Sequence, residues 1–201
     1  LKVRLYRKPL HWWSLRSVTI TKTKTGKYFC SITFGYEAEP PEPVIPTPAR
    51  TVGLNYSMSR FYVDSNGNSP ELPPRMAAAR EKLARMQRKL SRMQQGSKNY
   101  EAQLHKIRLQ YERIANQRRD FAHQQSRRIA NAWDAVCVRG DDLNVMAQRL
   151  KGGNVPDSGF GMFRAFLRYK LEAQGKAYID VDPYAPAAKT CHACGHVNEN
   201  L

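Results

Sequence analysis

Alternating apolar and polar positions at the start of the chain predict β-strands. Residues 15–36 have the pattern of a hairpin, with Thr25-Gly26 at the turn and a returning segment rich in β-branched and aromatic residues. Leu1–Leu5 alternates in the same way and is predicted to join this small sheet. The next stretch, 37–50, is rich in proline, which removes backbone hydrogen-bond donors, and is therefore interpreted as a linker between two domains.

Beyond the linker the period of the pattern changes. Thr51–Asn55 and Arg60–Asp64 are predicted as short strands, with Ser65-Asn66-Gly67 as a hairpin turn. From Arg75 to about Ala132 apolar residues recur at spacings of three and four, which predicts two antiparallel helices separated at Gly96-Ser97. The predicted seam residues are Leu83, Met86, Leu90 and Met93 on the first helix and Leu104, Ile107, Tyr111 and Ile114 on the second.

The last part of the chain returns to strands around an amphipathic helix. Strands are predicted at 134–138 and 177–181, with a helix at about 159–174 between them. The order strand, strand, two long helices, strand, helix, strand is typical of an α/β domain whose later strands are connected by right-handed crossovers. The predicted apolar stripe of the late helix is Phe160, Phe163, Leu167 and Leu171.

The amino-acid composition indicates which class of molecule the chain binds. Of 201 residues, 41% are hydrophobic and 25% charged, which is typical of a globular chain. Lys and Arg number 33 against 17 Asp and Glu, a net charge of +16 that favours polyanionic partners. No segment approaches the roughly 20 consecutive apolar residues of a membrane span, so no membrane partner is expected. The chain opens at Leu1 in strand-like sequence, and we expect it to be part of a longer polypeptide.

Most of the net positive charge lies on the predicted helices. Between Arg75 and Ala130 there are 15 Lys or Arg and 4 Asp or Glu, a local net charge of +11. A helical hairpin with a solvated basic surface is the simpler interpretation, but acidic partners for pairing along the helix are scarce, which favours nucleic-acid binding. The candidate phosphate contacts are Lys89, Arg92 and Lys98 near the hairpin tip and Arg113, Arg118 and Arg119 on the second helix.

Aromatic residues in the first hairpin form a second candidate surface. Trp12 and Trp13 lie beside His11 and Arg16, and adjacent aromatics in a basic hairpin can stack on unpaired bases. Packing against a preceding domain is the alternative for both tryptophans. Tyr28 and Phe29 are interpreted as sheet core, and His123 as a helix-face histidine bonded to a neighbour rather than a catalytic group.

The four cysteines do not form a disulfide framework. Cys191 and Cys194 are separated by two residues, which is half of a zinc site because tetrahedral Zn²⁺ needs two further ligands. A redox pair or two free thiols remain as alternatives. Cys30 and Cys137 lie in strand patterns and are interpreted as inert core residues.

Several segments together resemble one family along nearly the whole chain and in the family's order. They are Ser17-Val-Thr-Ile-Thr…Gly-Lys-Tyr, Val52-Gly-Leu-Asn-Tyr-Ser, Arg88-Lys-Leu-Ser-Arg…Gly-Ser-Lys-Asn-Tyr, Ile114-Ala-Asn-Gln-Arg-Arg-Asp-Phe-Ala-His, Asp157-Ser-Gly-Phe-Gly-Met-Phe and Val181-Asp-Pro-Tyr-Ala-Pro-Ala-Ala-Lys-Thr-Cys-His-Ala-Cys-Gly. The chain resembles the TnpB family, transposon-encoded RNA-guided nucleases related to type V CRISPR effectors, and among them the nuclease-dead TnpB-like repressors.

This resemblance implies an architecture. It implies an RNase H-like (RuvC) domain at 51–186 with an inserted helical hairpin at about 75–132. The C-terminal part of a small wedge β-domain at 1–36 precedes it through the linker 37–50. The first half of a zinc ribbon follows at 187–201, which implies that Cys191 and Cys194 bind structural zinc with ligands beyond residue 201.

The resemblance also implies where the nuclease carboxylates should be. A RuvC site uses acidic side chains to hold two Mg²⁺ ions around the scissile phosphate. The first carboxylate position is Asn55 in this chain, the second falls on Arg139, and the third lies beyond Leu201. A neutral amide and a guanidinium do not replace carboxylates, so Mg²⁺ is not expected to bind productively and no catalytic residue is intact.

A two-residue shift of the alignment offers an alternative. It places Asp141 or Asp142 at the second carboxylate position, although the downstream register opposes the shift. A laboratory substitution would explain Asn55 alone, whereas Asn55 and Arg139 together favour natural loss of the site.

Two functions from different classes therefore remain. The preferred hypothesis is an RNA-guided DNA-binding protein that represses transcription by occupying its target without cleavage. Its expected partners are a guide RNA and target double-stranded DNA, with no required protein oligomer, in the bacterial cytoplasm at the nucleoid. The alternative is an RNA-guided DNA endonuclease with an engineered or rearranged site. A weaker third interpretation is a transposon-borne RNA chaperone.

Overall fold

The computed structural model of the chain describes residues 8–140, 159–182, 190 and 194–199. Its elements in chain order are β1 Ser14–Lys22, β2 Tyr28–Gly35, β3 Thr51–Ser57, β4 Phe61–Asp64, α1 Pro74–Leu90, α2 Lys98–Ala132, β5 Ala135–Arg139, α3 Phe160–Glu172 and β6 Ala177–Val181. The predicted α/β class is confirmed. The predicted strand Leu1–Leu5 and the candidate residues Asp141, Asp142 and Cys191 lie outside the described residues. Among the described helices, none is long and apolar enough to cross a membrane.

The chain divides into two compact units. The first contains β1, β2, α1 and α2 as far as Asn116, and the second contains Pro41–Pro73 and the chain from Gln117 onward. The wedge, RuvC and zinc-ribbon boundaries given above remain predictions.

In the first unit, β1 and β2 form the predicted antiparallel hairpin around Gly26, whose φ of +85° favours glycine. The expectation that Tyr28, Phe29 and Cys30 are core residues is wrong. The two aromatic side chains are 65% and 55% exposed, and Cys30 is exposed as well. Two strands have no interior of their own, so alternation alone does not bury a face.

The turn of this hairpin is attached to α2. Glu112 accepts hydrogen bonds from Thr25 Oγ1 at 2.8 Å and from Lys27 Nζ at 2.9 Å. These hydrogen bonds lower the pKa of Glu112 below its usual value. One of the three acidic residues of α2 is therefore used to position the turn.

The helical hairpin is packed partly through glutamines. Gln103 and Gln110 are buried, and their Nε2 atoms donate to the carbonyl oxygens of Met86 and Ala79, at 3.1 and 2.9 Å. The predicted seam is wrong at Tyr111, which is half-exposed and accepts a hydrogen bond from Gln87. Long amides fill the seam because they reach carbonyl oxygens of the facing helix.

The second unit contains a four-stranded sheet in the order β4-β3-β5-β6. Strands β3, β5 and β6 are parallel, and β4 is antiparallel to β3. The predicted hairpin turn is wrong, because residues 58–60 connect β3 to β4 and the turn at Ser65 follows β4. Ser65 instead forms two hydrogen bonds with Gly53 of β3. Its N–H donates to the Gly53 carbonyl oxygen at 2.8 Å, and its Oγ accepts from the Gly53 N–H at 3.2 Å.

One face of this sheet is covered by α3 and the end of α2. The ring of Tyr56 lies 5.0 Å from that of Phe160, so Tyr56 is on the covered face. Val52 and Leu54 are on the same face, because every second residue of a strand points to the same side. Tyr62 stacks on Phe163 at 5.3 Å. The fully or nearly fully buried residues here are Val52, Leu54, Phe61, Tyr62, Phe121, Val136, Val138, Phe160, Phe163, Leu167 and Leu171. The predicted stripe of the late helix is confirmed.

The proline-rich segment is anchored to this unit through Arg50, which forms an ion pair with Asp134 at 3.0 Å, and through Val44. The Val44 N–H donates to the Gly175 carbonyl at 2.8 Å, in the turn between α3 and β6. Gly175 has a φ of +66°, and a Cβ there would lie 2.1 Å from the Glu42 carbonyl oxygen. The close approach therefore requires glycine.

Candidate functional site

The carboxyl ends of the parallel strands bring Asn55 and Arg139 together. Leu54 lies opposite Val138 in the register of β3 and β5, and Asn55 and Arg139 are the next residues on each strand. Because side chains alternate along strands, both lie on the face opposite to α3. The carboxyl edge of parallel strands is where α/β proteins bind ligands.

This edge forms an open cleft of about 440 Å³ in the second unit. Arg139 lies opposite Val181 in β6, so Asp182 follows at the same edge. The cleft is lined by Gly53, Leu54, Asn55, Val63, Asp64, Ser65, Cys137, Arg139, Val181 and Asp182. Cys137 is half-buried in this lining rather than in the core, so its predicted core position is wrong.

The two carboxylates of the cleft have different surroundings. Asp64 Oδ1 accepts hydrogen bonds from the N–H groups of Asn66 and Asn68, at 2.9 and 2.8 Å, and the Asn68 side chain also binds it. This pattern closes the turn after β4, so its oxygens are engaged by the chain itself. Asp182 is exposed at the end of β6.

Lys170 of α3 and Ser126 and His123 of α2 form a buried polar cluster that was not predicted from the sequence. Lys170 on α3 is 8% exposed, and its Nζ donates to Ser126 Oγ at 2.6 Å and to the His123 carbonyl at 2.8 Å. Burial lowers the pKa of Lys170, and the nearby Arg127 lowers it further.

His123 is part of the same cluster. Its ring stacks on Phe166 with centroids 3.7 Å apart, and Nδ1 lies 3.5 Å from Lys170 Nζ. Burial, followed by the charge of Lys170, lowers the pKa of His123. The structure therefore agrees with the prediction that His123 is bonded to a neighbouring side chain.

The basic candidates lie on exposed surfaces of the helices. Lys89, Arg92, Lys98, Arg113 and Arg119 are exposed, whereas Arg118 is half-buried with its Cβ about 3.9 Å from where a Cβ on Gly159 would lie. Sequence reasoning missed Lys82 and Arg85. They share one face of α1 with Lys89 because their spacing is three and four, and within the described part of the chain none of the three forms a hydrogen bond or ion pair.

The tryptophans form an aromatic cluster in the first unit. Trp13 stacks on Tyr36 with centroids 5.2 Å apart, and Trp12 meets both rings edge-on. Trp12 remains 52% exposed, and the neighbouring Arg16 is exposed. The cluster presents two aromatic side chains, Trp12 and the 56% exposed Tyr36, to solvent beside a cation.

The zinc prediction concerns residues of which few are described. Thr190 and Val197 form an antiparallel bridge, with exposed Cys194 and His196 between them. The described residues contain no group of three or more His, Cys, Asp or Glu side chains arranged for a metal ion. Zinc binding by Cys191 and Cys194 remains a prediction.

Comparison with known protein families shows the family to which the chain belongs. Residues 33–149 match the OrfB_IS605 family, described as "Probable transposase", and residues 160–201 match the "Cas12f1-like, TNB domain" family. The chain belongs to the OrfB_IS605 family. This confirms the resemblance to TnpB.

Two relatives show how much of such a protein this chain corresponds to. It is 28% identical over 191 residues to a "Putative RNA-guided DNA endonuclease" of Streptomyces pristinaespiralis, covering 92% of this chain and 45% of the relative. It is 29% identical over 198 residues to "Putative RNA-guided DNA endonuclease InsQ" of Escherichia coli K12, covering 90% and 48%. The chain thus spans about half the length of these relatives.

The fold has a counterpart among solved structures. The chain aligns with a structure described as "Cryo-EM structure of the Cas12f1-sgRNA-target DNA complex", with a TM-score of 0.58 and 17% identity. The alignment covers 92% of this chain and 38% of the other. It shows that the two chains share a fold.

Proposed function

We propose that this protein binds DNA under the direction of a guide RNA, does not cut it, and represses transcription by occupying the target. The observation that carries the proposal is the pairing of Asn55 with Arg139 at the edge of an otherwise well-packed sheet. In the family these two positions are the ones expected to hold carboxylates.

The chemistry of these two side chains opposes metal binding. Mg²⁺ prefers charged oxygen ligands, whereas Asn55 offers one neutral oxygen and Arg139 offers none. At ~4 Å and an effective dielectric near 20, a guanidinium repels each unit of metal charge by roughly 4 kcal/mol. The residues present therefore do not fit a pair of divalent cations, and the proposed function includes no metal-dependent step.

Binding to nucleic acid is supported by charge and by relatives. The exposed cations of α1 and α2 are suited to phosphate backbones, and the two relatives carry names that specify RNA-guided action on DNA. In this class of protein, pairing between guide and target reads the sequence while the protein contacts backbone and shape. A bound complex that does not cut would block polymerase at a promoter.

Cleavage remains the competing function because the relatives are named endonucleases. It would require a site assembled from Asp182 at the cleft or from Asp141 and Asp142, which lie outside the described residues. A site built on Asp182 would share its cleft with Arg139, whereas a site built on Asp141 and Asp142 would require the Arg139 guanidinium to lie away from the metal.

A plasmid assay distinguishes the two functions. RNA that copurifies with the protein is sequenced, and a plasmid matched to this guide is incubated with the complex and Mg²⁺ or Mn²⁺. We expect target binding in a mobility-shift assay and an intact plasmid. Asn55→Asp alone should also fail to cut because Arg139 still faces the site. Cleavage by either protein would contradict the proposal, and cleavage by Asn55→Asp alone would show that Arg139 lies outside the metal site.

A further inference from the structure

We infer that the cleft binds one phosphodiester group of a nucleic-acid strand without metal, with the Arg139 guanidinium replacing the charge that divalent cations supply in a two-metal nuclease. The inference deepens the proposed function, on which it rests, because it assigns a ligand to the same altered site. It explains why the cleft would persist after cleavage is lost.

The geometry of the cleft supports an anion held by Arg139. The residue ends the central strand β5, between Asn55 on β3 and Val181 on β6, so its side chain is half-buried at the middle of the edge. A guanidinium matches two phosphate oxygens with two parallel N–H donors, and it stays charged at every physiological pH. The amide of Asn55 adds a neutral donor beside it, where a carboxylate would repel phosphate.

The walls of the cleft strengthen such a contact. Val63, Cys137 and Val181 line it with largely apolar surface, which lowers the local dielectric around the guanidinium. A volume of about 440 Å³ lies within the range of roughly 300–1,000 Å³ that is typical of ligand sites. The space is therefore suited to a sugar–phosphate unit.

The negative charges of the two carboxylates in the cleft oppose the binding of phosphate to different extents. Asp64 is turned toward the N–H groups of its own turn, so its charge is partly balanced by those donors. Asp182 is exposed at the edge and repels phosphate through solvent. Replacing Asp182 by Asn should therefore strengthen binding, which is the opposite of the effect expected at a metal site.

Cys137 provides a local sensor for the test. Its thiol lines the cleft, whereas Cys30 is exposed on the β1–β2 hairpin in the other compact unit. The full chain is mixed with a 20-nucleotide single-stranded DNA in EDTA, and alkylation of each cysteine by iodoacetamide is followed by mass spectrometry. We expect the oligonucleotide to slow alkylation of Cys137 about ten-fold, because a bound strand closes the cleft.

Variants identify the group that holds the strand. Arg139→Ala should abolish protection of Cys137, Arg139→Lys should retain part of it, and Asp182→Asn should give protection at lower oligonucleotide concentration. Arg60→Ala is the matched control, since Arg60 is an exposed arginine of the same unit outside the cleft lining, and it should behave as the wild type. Circular dichroism confirms that each variant is folded.

The outcomes separate this inference from the proposed function. Unprotected Cys137, protection that needs Mg²⁺, or equal protection in Arg139→Ala would each overturn the phosphate site, even if the plasmid remained intact. Plasmid cleavage would overturn the proposed function, whatever the state of Cys137. Protection in EDTA that depends on Arg139 supports the inference.

Discussion

The two faces of the β3–β6 sheet differ in how completely they are covered. The face toward α3 is filled by Leu54, Val138 and the rings of Phe160 and Phe163, with almost no exposed surface. The opposite face ends in a cleft lined by Asn55 and Arg139, the positions at which the resemblance to the family predicts carboxylates. Packing holds the first face, whereas residues at exposed strand ends change without disturbing a core. Substitutions at this edge can therefore leave the packed fold intact, as the proposed function requires.

The largest expected effect concerns the covered face. Phe163→Ala removes a fully buried ring that stacks on Tyr62, and it should lower the free energy of unfolding by about 3–5 kcal/mol. Chemical denaturation measures this change. Asn55→Asp, the control on the open face, should change stability by less than about 1 kcal/mol. Equal losses in the two variants would show that the cleft is a structural element rather than an open site.

A smaller effect is expected from pH, through His123 on the covered side. Burial and Lys170 lower its pKa in the fold, so below the pKa of the unfolded chain, about 6.5, the unfolded state binds a proton that the folded state does not. Stability is thus fully present above this pH and is lost as pH falls through the lower folded pKa.

The matched variant is His123→Phe, which keeps a ring against Phe166 and removes the titration. We expect the unfolding free energy of the wild type to fall more between about pH 7 and pH 5 than that of the variant. Neighbouring Arg119, Asp120 and Arg127 are the same in both proteins and cancel in the comparison. Parallel curves would show that His123 is not held neutral by its surroundings.

The covered face was largely predictable from sequence, because its residues follow the periods of helices and strands. The positions of Phe160, Phe163 and Leu167 follow from spacing alone. The connection between β3 and β4 was not predictable in this way. A Ser-Asn-Gly turn is a strong local pattern, but here it closes on Asp64, and Phe61 adopts a φ of +73° that no propensity favours.

Other features depend on residues that are distant in sequence. Lys170 meets Ser126 across 44 residues, and a lysine on a helix is ordinarily expected to face solvent. The pairing of Asn55 with Arg139 was inferred through the family resemblance. The cleft at these two residues, which Cys137 and Asp182 also line, could be recognised only from the register of three parallel strands. Strand order and register are set by long-range packing, which periodicity does not contain.

Metal binding tests the central claim most directly. Manganese replaces magnesium in carboxylate sites and is detected by its anomalous scattering, so crystals of the protein are soaked in Mn²⁺ beside crystals of an Asn55→Asp, Arg139→Glu double variant. The account predicts no ordered ion at the edge of β3 and β5 in the wild type, and a gain of Mn²⁺ there in the double variant. Two well-ordered manganese ions beside Asn55 and Arg139 in the wild type would contradict it.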